Sequence, residues 1–119
     1  MKLHGFNLQD KSYTFAISIV KLAQSLQKEQ KEFVISNQVL RSGTSIGALI
    51  REAEFAQSHA DYINKFYISL KEANETSYWP NLLKDTGYID KNNLTNLEKE
   101  NKELIAMLVA TVKTLKSKE

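Results

Sequence analysis

The sequence predicts an all-α protein, an antiparallel up-down-up-down four-helix bundle in a single domain. Three observations carry that prediction. The chain holds only four glycines and one proline in 119 residues, so its turns are few and its helices long. Apolar residues recur at three- and four-residue spacing through most of its length. The stretches that lack this spacing are short, and short connections between long helices make antiparallel neighbours.

The first helix is predicted over about 10–28. Tyr13, Ala16, Ile17, Val20 and Ala23 form one apolar stripe, and Phe15, Ile19, Leu22 and Leu26 form a second on a neighbouring face. A surface helix needs only one, so this helix is expected to be covered on two sides. The charged segment QKEQKEF makes the first connection. Ser36 or Asn37 is expected to cap the second helix, about 36–57, with Val39, Gly43, Ile46, Ile50 and Ala53 as its core stripe.

Ser58, with Asp61 three residues on, resembles a capping box and opens the third helix, about 58–86. Its inner stripe reads Ile63, Phe66, Tyr67, Leu70 and Ala73. Pro80 lies inside this pattern and lacks the N–H that would reach the Thr76 carbonyl, so a kink or interruption is expected there. Gly87 suits a left-handed C-cap. Asp90 is the expected N-cap of the fourth helix, about 91–117, lined by Leu94, Leu97, Asn101, Leu104, Leu108, Val112 and Leu115. A polar residue in mid-stripe, Asn101 either fixes register or reaches water from the core's edge.

The segment RSGTSIG invites comparison with a phosphate-binding loop. Such a loop needs a preceding strand and a lysine after its glycines, and neither is present. The helical stripe instead runs straight through it. Gly43 and Gly47, one turn apart, are expected to open a groove for close approach of a neighbouring element.

Several side chains fall opposite the inner stripes. They are Arg41, Ser45 and Glu52 on the second helix and Ile68, Glu72, Trp79, Leu82 and Leu83 on the third. A line of outward apolar groups that includes Trp and Leu points to a self-association interface. The competing reading is that Pro80 rotates Trp79, Leu82 and Leu83 into the core. Glu52, Glu72 and Glu75 could pair with Arg41, Arg51 or Lys71 across such an interface, or be a solvated face.

Chemistry is sparse. Cysteine is absent, which excludes disulfides and thiolate metal sites. The two histidines, His4 in an expected N-terminal tail and His59 at a helix start, have no Glu-x-x-His partners, so no metal is expected. Glu72 and Glu75 make only a Glu-x-x-Glu step. No nucleophile elbow or nucleotide loop occurs, so neither an enzyme nor a cofactor is expected. The N-terminus lacks a signal-like apolar region and no run is long enough to span a membrane, so a cytoplasmic protein is expected. Net charge is +2, with 16 basic and 14 acidic residues, which permits nucleic-acid binding without arguing for it. Arg41, Arg51, Lys99, Lys102 and Lys113 are the candidate phosphate contacts.

The stretch QVLRSGTSIGALIREAEFAQSHADYINKFYISLKEANETSYW also resembles the four-helix-bundle proteins encoded by intervening sequences of bacterial 23S ribosomal RNA genes. The matching positions are Arg41, Ser45, Ile46, Glu52, Lys71, Glu72, Glu75, Thr76, Tyr78 and Trp79. The resemblance implies an up-down bundle assembled as a homopentameric ring. It extends to the accessory protein of diversity-generating retroelements, which shares that assembly and binds nucleic acid and a reverse transcriptase. Leu49 departs from a usual asparagine, and Pro80 from a usual leucine.

These readings converge on a non-enzymatic homo-oligomer that binds or scaffolds RNA or another nucleic acid. The alternatives are a protein-interaction module and, third, a metal-binding bundle centred on Glu72 and Glu75.

Overall fold

A computed structural model describes residues 2–118, with side chains from residue 8 onward. Four helices follow one another: α1 (Lys2–Gln30), α2 (Val34–Glu52), α3 (His59–Asp85) and α4 (Lys91–Lys116), with a 3₁₀ turn at Ala53–Phe55 extending α2. His4, expected in a tail, belongs to α1 by its backbone, and its side chain lies outside the described residues.

Cross-helix contacts fix the helix directions. Gln27 bonds Ser36 near one end of the α1–α2 pair, and Gln9 bonds Glu54 at the other. On α2 and α3, Thr76 Oγ1 donates to Ser42 Oγ at 2.9 Å and Ser69 Oγ to the Ile46 carbonyl at 2.9 Å. On α3 and α4, Asn101 meets Ala73 while Lys116 meets Tyr67. In each pair one residue number falls as the other rises, so sequential helices run antiparallel. Packing is most extensive between sequential helices and lightest where α4 returns to α1, and the bundle measures 47 × 22 × 19 Å.

The connections are short because each end is chemically closed. Lys31 takes a positive φ of 54°, and Glu32 then turns back over the start of α2. Its carboxylate accepts from the backbone N–H groups of Val34, Ile35 and Ser36 at 3.2, 3.0 and 2.7 Å. A negative group there satisfies donors that the helix itself leaves open and favours the positive end of its dipole. This corrects the expected cap: Ser36 sits inside the helix, its hydroxyl donating back to the Glu32 carbonyl. Ser58 and Asp90 cap as expected, accepting from Asp61 N at 3.1 Å and Asn93 N at 2.8 Å. At the end of α3, Gly87 has φ 87°, and Gly87 N and Tyr88 N donate to the Lys84 and Leu83 carbonyls. That pair of bonds is a Schellman motif.

The core holds Phe15, Ile19, Val39, Ile46, Ile50, Phe66, Leu104 and Leu108, with the α2 and α4 stripes buried as expected. α3 departs from expectation in two ways. Of the kink or interruption expected at Pro80, the interruption does not occur, since α3 runs through it. Pro80 is buried against neighbouring helices, whose packing offsets the lost hydrogen bond. Its face also drifts: Tyr67, expected inside, lies outside, whereas Ser69, Thr76 and Leu83 lie inside. Asn101 is buried, its Nδ2 donating to the Ala73 carbonyl at 2.8 Å and to Ser77 Oγ at 2.9 Å.

Gly43 and Gly47 both face α1. A Cβ at Gly43 would lie 2.8 Å from Cγ1 of Ile19, and one at Gly47 would lie 3.1 Å from Ser12 Oγ. The RSGTSIG stretch is therefore a helix packing groove filled by Ile19 and Ser12.

Candidate functional site

The clearest polar constellation joins α2 to α3. Arg41 on α2 faces Glu72 and Glu75, three residues apart on α3 and hence on one side of it. Arg41 Nη1 donates to Glu72 Oε1 at 3.1 Å, and Nη2 donates to Glu75 Oε2. The same Glu75 oxygen accepts from the Trp79 indole N–H at 3.0 Å, one turn further along. Nearby, Glu52 pairs with Lys65 across the α2–α3 seam at 3.5 Å.

This clasp changes the roles expected of its members. Arg41 was a candidate phosphate contact and a candidate interface residue, but two carboxylates of its own chain already neutralise it. Glu72 and Glu75 hold a guanidinium where a metal was the third alternative. Trp79 is half-buried and packed against the core, with its one donor satisfied. Leu83 is 0% exposed, turned inward by the drift of α3, whereas Trp79 and Leu82, which the competing reading also put in the core, are only half-buried. Ser45, Ile68 and Leu82 remain half-buried at the edges of this face, and Glu52 is exposed.

The other basic candidates lie apart from the clasp and from one another. Arg51 rims a groove of about 490 Å³ between α1 and α2, beside Tyr13, Gly47 and Ala48. Lys99, Lys102 and Lys113 are exposed on α4, the helix diagonal to α2. Lys102 and Lys113 stand eleven positions apart, about three helical turns, on the same side of α4. Neither makes an ion pair among the described residues. Lys99 points elsewhere, close enough to Glu103 to help lower its pKa.

Two exposed features carry more than the sequence reading gave them. On α1, Tyr13 (68% exposed), Ile17 and Val20 form a bare apolar stripe on successive turns. The first predicted stripe is thus bare at Tyr13, Ile17 and Val20 but buried at Ala23, while Phe15, Ile19 and Leu26 of the second are buried. On α3, Tyr67 and Tyr78 lie outside, before and after Leu70, Lys71, Asn74 and Glu75, which with Ile105 of α4 line a groove of about 620 Å³. Lys116 Nζ sits 5.2 Å from the Tyr67 ring centroid, and the Tyr78 ring meets Trp79 edge-on at 5.0 Å. Tyr67 directly follows core Phe66 in the sequence, so only the exact phase of the helix separates inside from outside.

Between α1 and α4, Lys11 Nζ lies 3.0 Å from Glu103 Oε2. The Lys11 hydrogen bond and charge hold the Glu103 carboxyl below the usual range. Burial first, and the Glu103 charge second, push Glu100 above it. Among the described residues no group of three His, Cys, Asp or Glu side chains converges on a metal position. No described helix is long and apolar enough to cross a membrane.

The model of the 23S rRNA-intervening sequence proteins matches residues 6–110. The chain belongs to the 23S rRNA-intervening sequence protein family. Among solved structures it is similar to a protein of unknown function from the S23 ribosomal protein family of Bacteroides thetaiotaomicron VPI-5482. The two share 52% identity over 92% of this chain and 98% of that one, with a TM-score of 0.90. No curated protein matches. Four of the ten positions that carry the family resemblance, Arg41, Glu72, Glu75 and Trp79, are the members of the α2–α3 clasp. In this 23S rRNA-intervening sequence protein the four are joined by hydrogen bonds, Arg41 to Glu72 and Glu75, and Trp79 to Glu75.

Proposed function

We propose that this protein is a non-enzymatic, cytoplasmic, self-associating helical scaffold that binds RNA on its lysine-bearing outer surface. The supporting observation is the separation of two kinds of surface. α1 carries a bare apolar stripe at Tyr13, Ile17 and Val20, and α4 carries Lys102 and Lys113, exposed and without an ion pair among the described residues. Apolar stripes exposed on a helix favour association, and a homopentamer is the assembly that the family resemblance implies. Phosphate binding strengthens with each cation engaged, so a lysine pair too weak alone becomes useful when repeated around a ring.

The test is a titration of nuclease-treated protein with structured RNA, comparing wild type with a Lys102→Glu/Lys113→Glu variant. The reading predicts a loss of at least about tenfold in affinity with unchanged oligomer mass. Equal affinity for both proteins would overturn it.

A second reading, a protein-interaction module with no nucleic-acid role, is favoured by Phe55, 84% exposed beside the α2–α3 connection. It gains if RNA binding is absent.

A further inference from the structure

Lysines alone do not distinguish a single strand from a duplex, but aromatic faces do. We infer that the α3–α4 seam takes single-stranded RNA, with Tyr67 and Tyr78 as stacking surfaces for its bases and the flanking lysines as partners of its phosphates. This inference rests on the RNA reading above and assigns it a strand type and a place.

The two tyrosines stand eleven positions apart on α3, about 16 Å along one side of the helix. They are 36% and 60% exposed, and neither hydroxyl has a hydrogen-bond partner among the described residues. Rings of this size left at the surface, with no hydrogen bond at their hydroxyls among the described residues, offer faces to a flat partner. The edge-on contact of Tyr78 with Trp79, at 84°, occupies at most one face of its ring and leaves the other open. Lys116 lies over one face of the Tyr67 ring, which leaves the other face for a base and sets a positive charge beside it.

Along α3 between the two positions lies the groove of about 620 Å³. Lys71 lines it, and Lys102 and Lys113 are exposed on α4, the helix that supplies Ile105 to its lining. Its one lining carboxylate, Glu75, is already held by Arg41 and Trp79. The antiparallel pairing sets Lys113 and Lys116 at the Tyr67 end. Asn101, bonded to Ser77, brings its neighbour Lys102 to the Tyr78 end. Each ring is therefore accompanied by lysine. In a duplex the base faces are stacked on one another and cannot meet a tyrosine, whereas a single strand can splay them out.

The experiment is fluorescence anisotropy with labelled single-stranded RNA and duplex RNA of equal length. It compares wild type, Tyr67→Leu/Tyr78→Leu and Tyr67→Phe/Tyr78→Phe. The expected result is tighter binding of the single strand. The Leu variant should lose about tenfold or more for the single strand and little for the duplex, and the Phe variant should keep wild-type affinity. Unchanged far-ultraviolet circular dichroism certifies the fold of both variants. If the Leu variant binds single strands as wild type does, or if duplex is preferred, the stacking assignment is overturned while the lysine-based reading stands. If wild type binds neither RNA at low salt, the RNA reading itself falls, and this inference with it.

Discussion

A methyl group at Gly43 would lie 2.8 Å from Cγ1 and 2.9 Å from Cγ2 of Ile19. Both atoms are attached directly to the branched Cβ of a side chain that is stiff at χ1, so Ile19 cannot swing aside. Gly43→Ala therefore pushes α1 from α2. Alanine gains up to about 1 kcal/mol of helix propensity, but overpacking costs about 1–3 kcal/mol. The variant should unfold at lower urea concentration than wild type. A Cβ in Gly47→Ala meets Ser12 less tightly, at 3.1 Å from Oγ and 3.4 Å from Cβ, and the variant should change stability by less than about 1 kcal/mol in the same assay.

Glu32 should be worth more than its place in a charged connection indicates. Its carboxylate closes three backbone donors of α2, and the residue is buried. Glu32→Ala is expected to cost about 1–2 kcal/mol, read by thermal unfolding. Hydrogen exchange at Val34, Ile35 and Ser36 should accelerate more than in the middle of α2. Equal protection in both proteins would remove Glu32 as the cap.

These first two cases mark how far the sequence was legible. Period and glycine spacing were enough to place the α2 and α4 stripes and the groove at Gly43 and Gly47, because those helices keep one phase along their length. The phase of α3 was not legible past its first turns. Its polar core members Ser69 and Thr76 look like surface residues until Ile46 and Ser42 on α2 are seen to accept from them. The cap by Glu32 was hidden for a related reason, since a charged residue in a charged run carries no sign of burial.

Arg41 should behave as a structural tie. Arg41→Met leaves Glu72 and Glu75 as like charges one turn apart and the Trp79 acceptor less well held. The pair is partly exposed, so the expected loss is about 1 kcal/mol, smaller in high salt. A double-mutant cycle with Glu72→Gln should give a favourable coupling. RNA affinity of Arg41→Met should stay close to wild type, in contrast to the α4 lysine variant.

Acid should act on α1 and α4 through two opposing carboxylates. Glu103 is held low by Lys11, so its stabilising share is full above the ordinary glutamate range and is lost as pH falls through its lowered value. Glu100 is raised by burial, so its ionised form opposes folding above the raised value and is relieved as pH falls through it. Glu100→Gln should therefore raise Tm at neutral pH, by a stability gain under about 1 kcal/mol given solvent screening. The advantage should shrink once pH drops below the usual carboxylate range. A variant less stable than wild type at neutral pH contradicts the assignment.

The most direct measurement for the account as a whole is the affinity of the nuclease-treated assembly for RNA at a series of salt concentrations. Released counterions make log affinity fall linearly with log salt, with a slope set by the number of phosphates engaged. A repeated lysine surface predicts a steep line, and the Lys102→Glu/Lys113→Glu variant should flatten it. An affinity that does not change with salt, or no binding at low salt, contradicts the RNA reading and leaves the α4 lysines as a solvated coat.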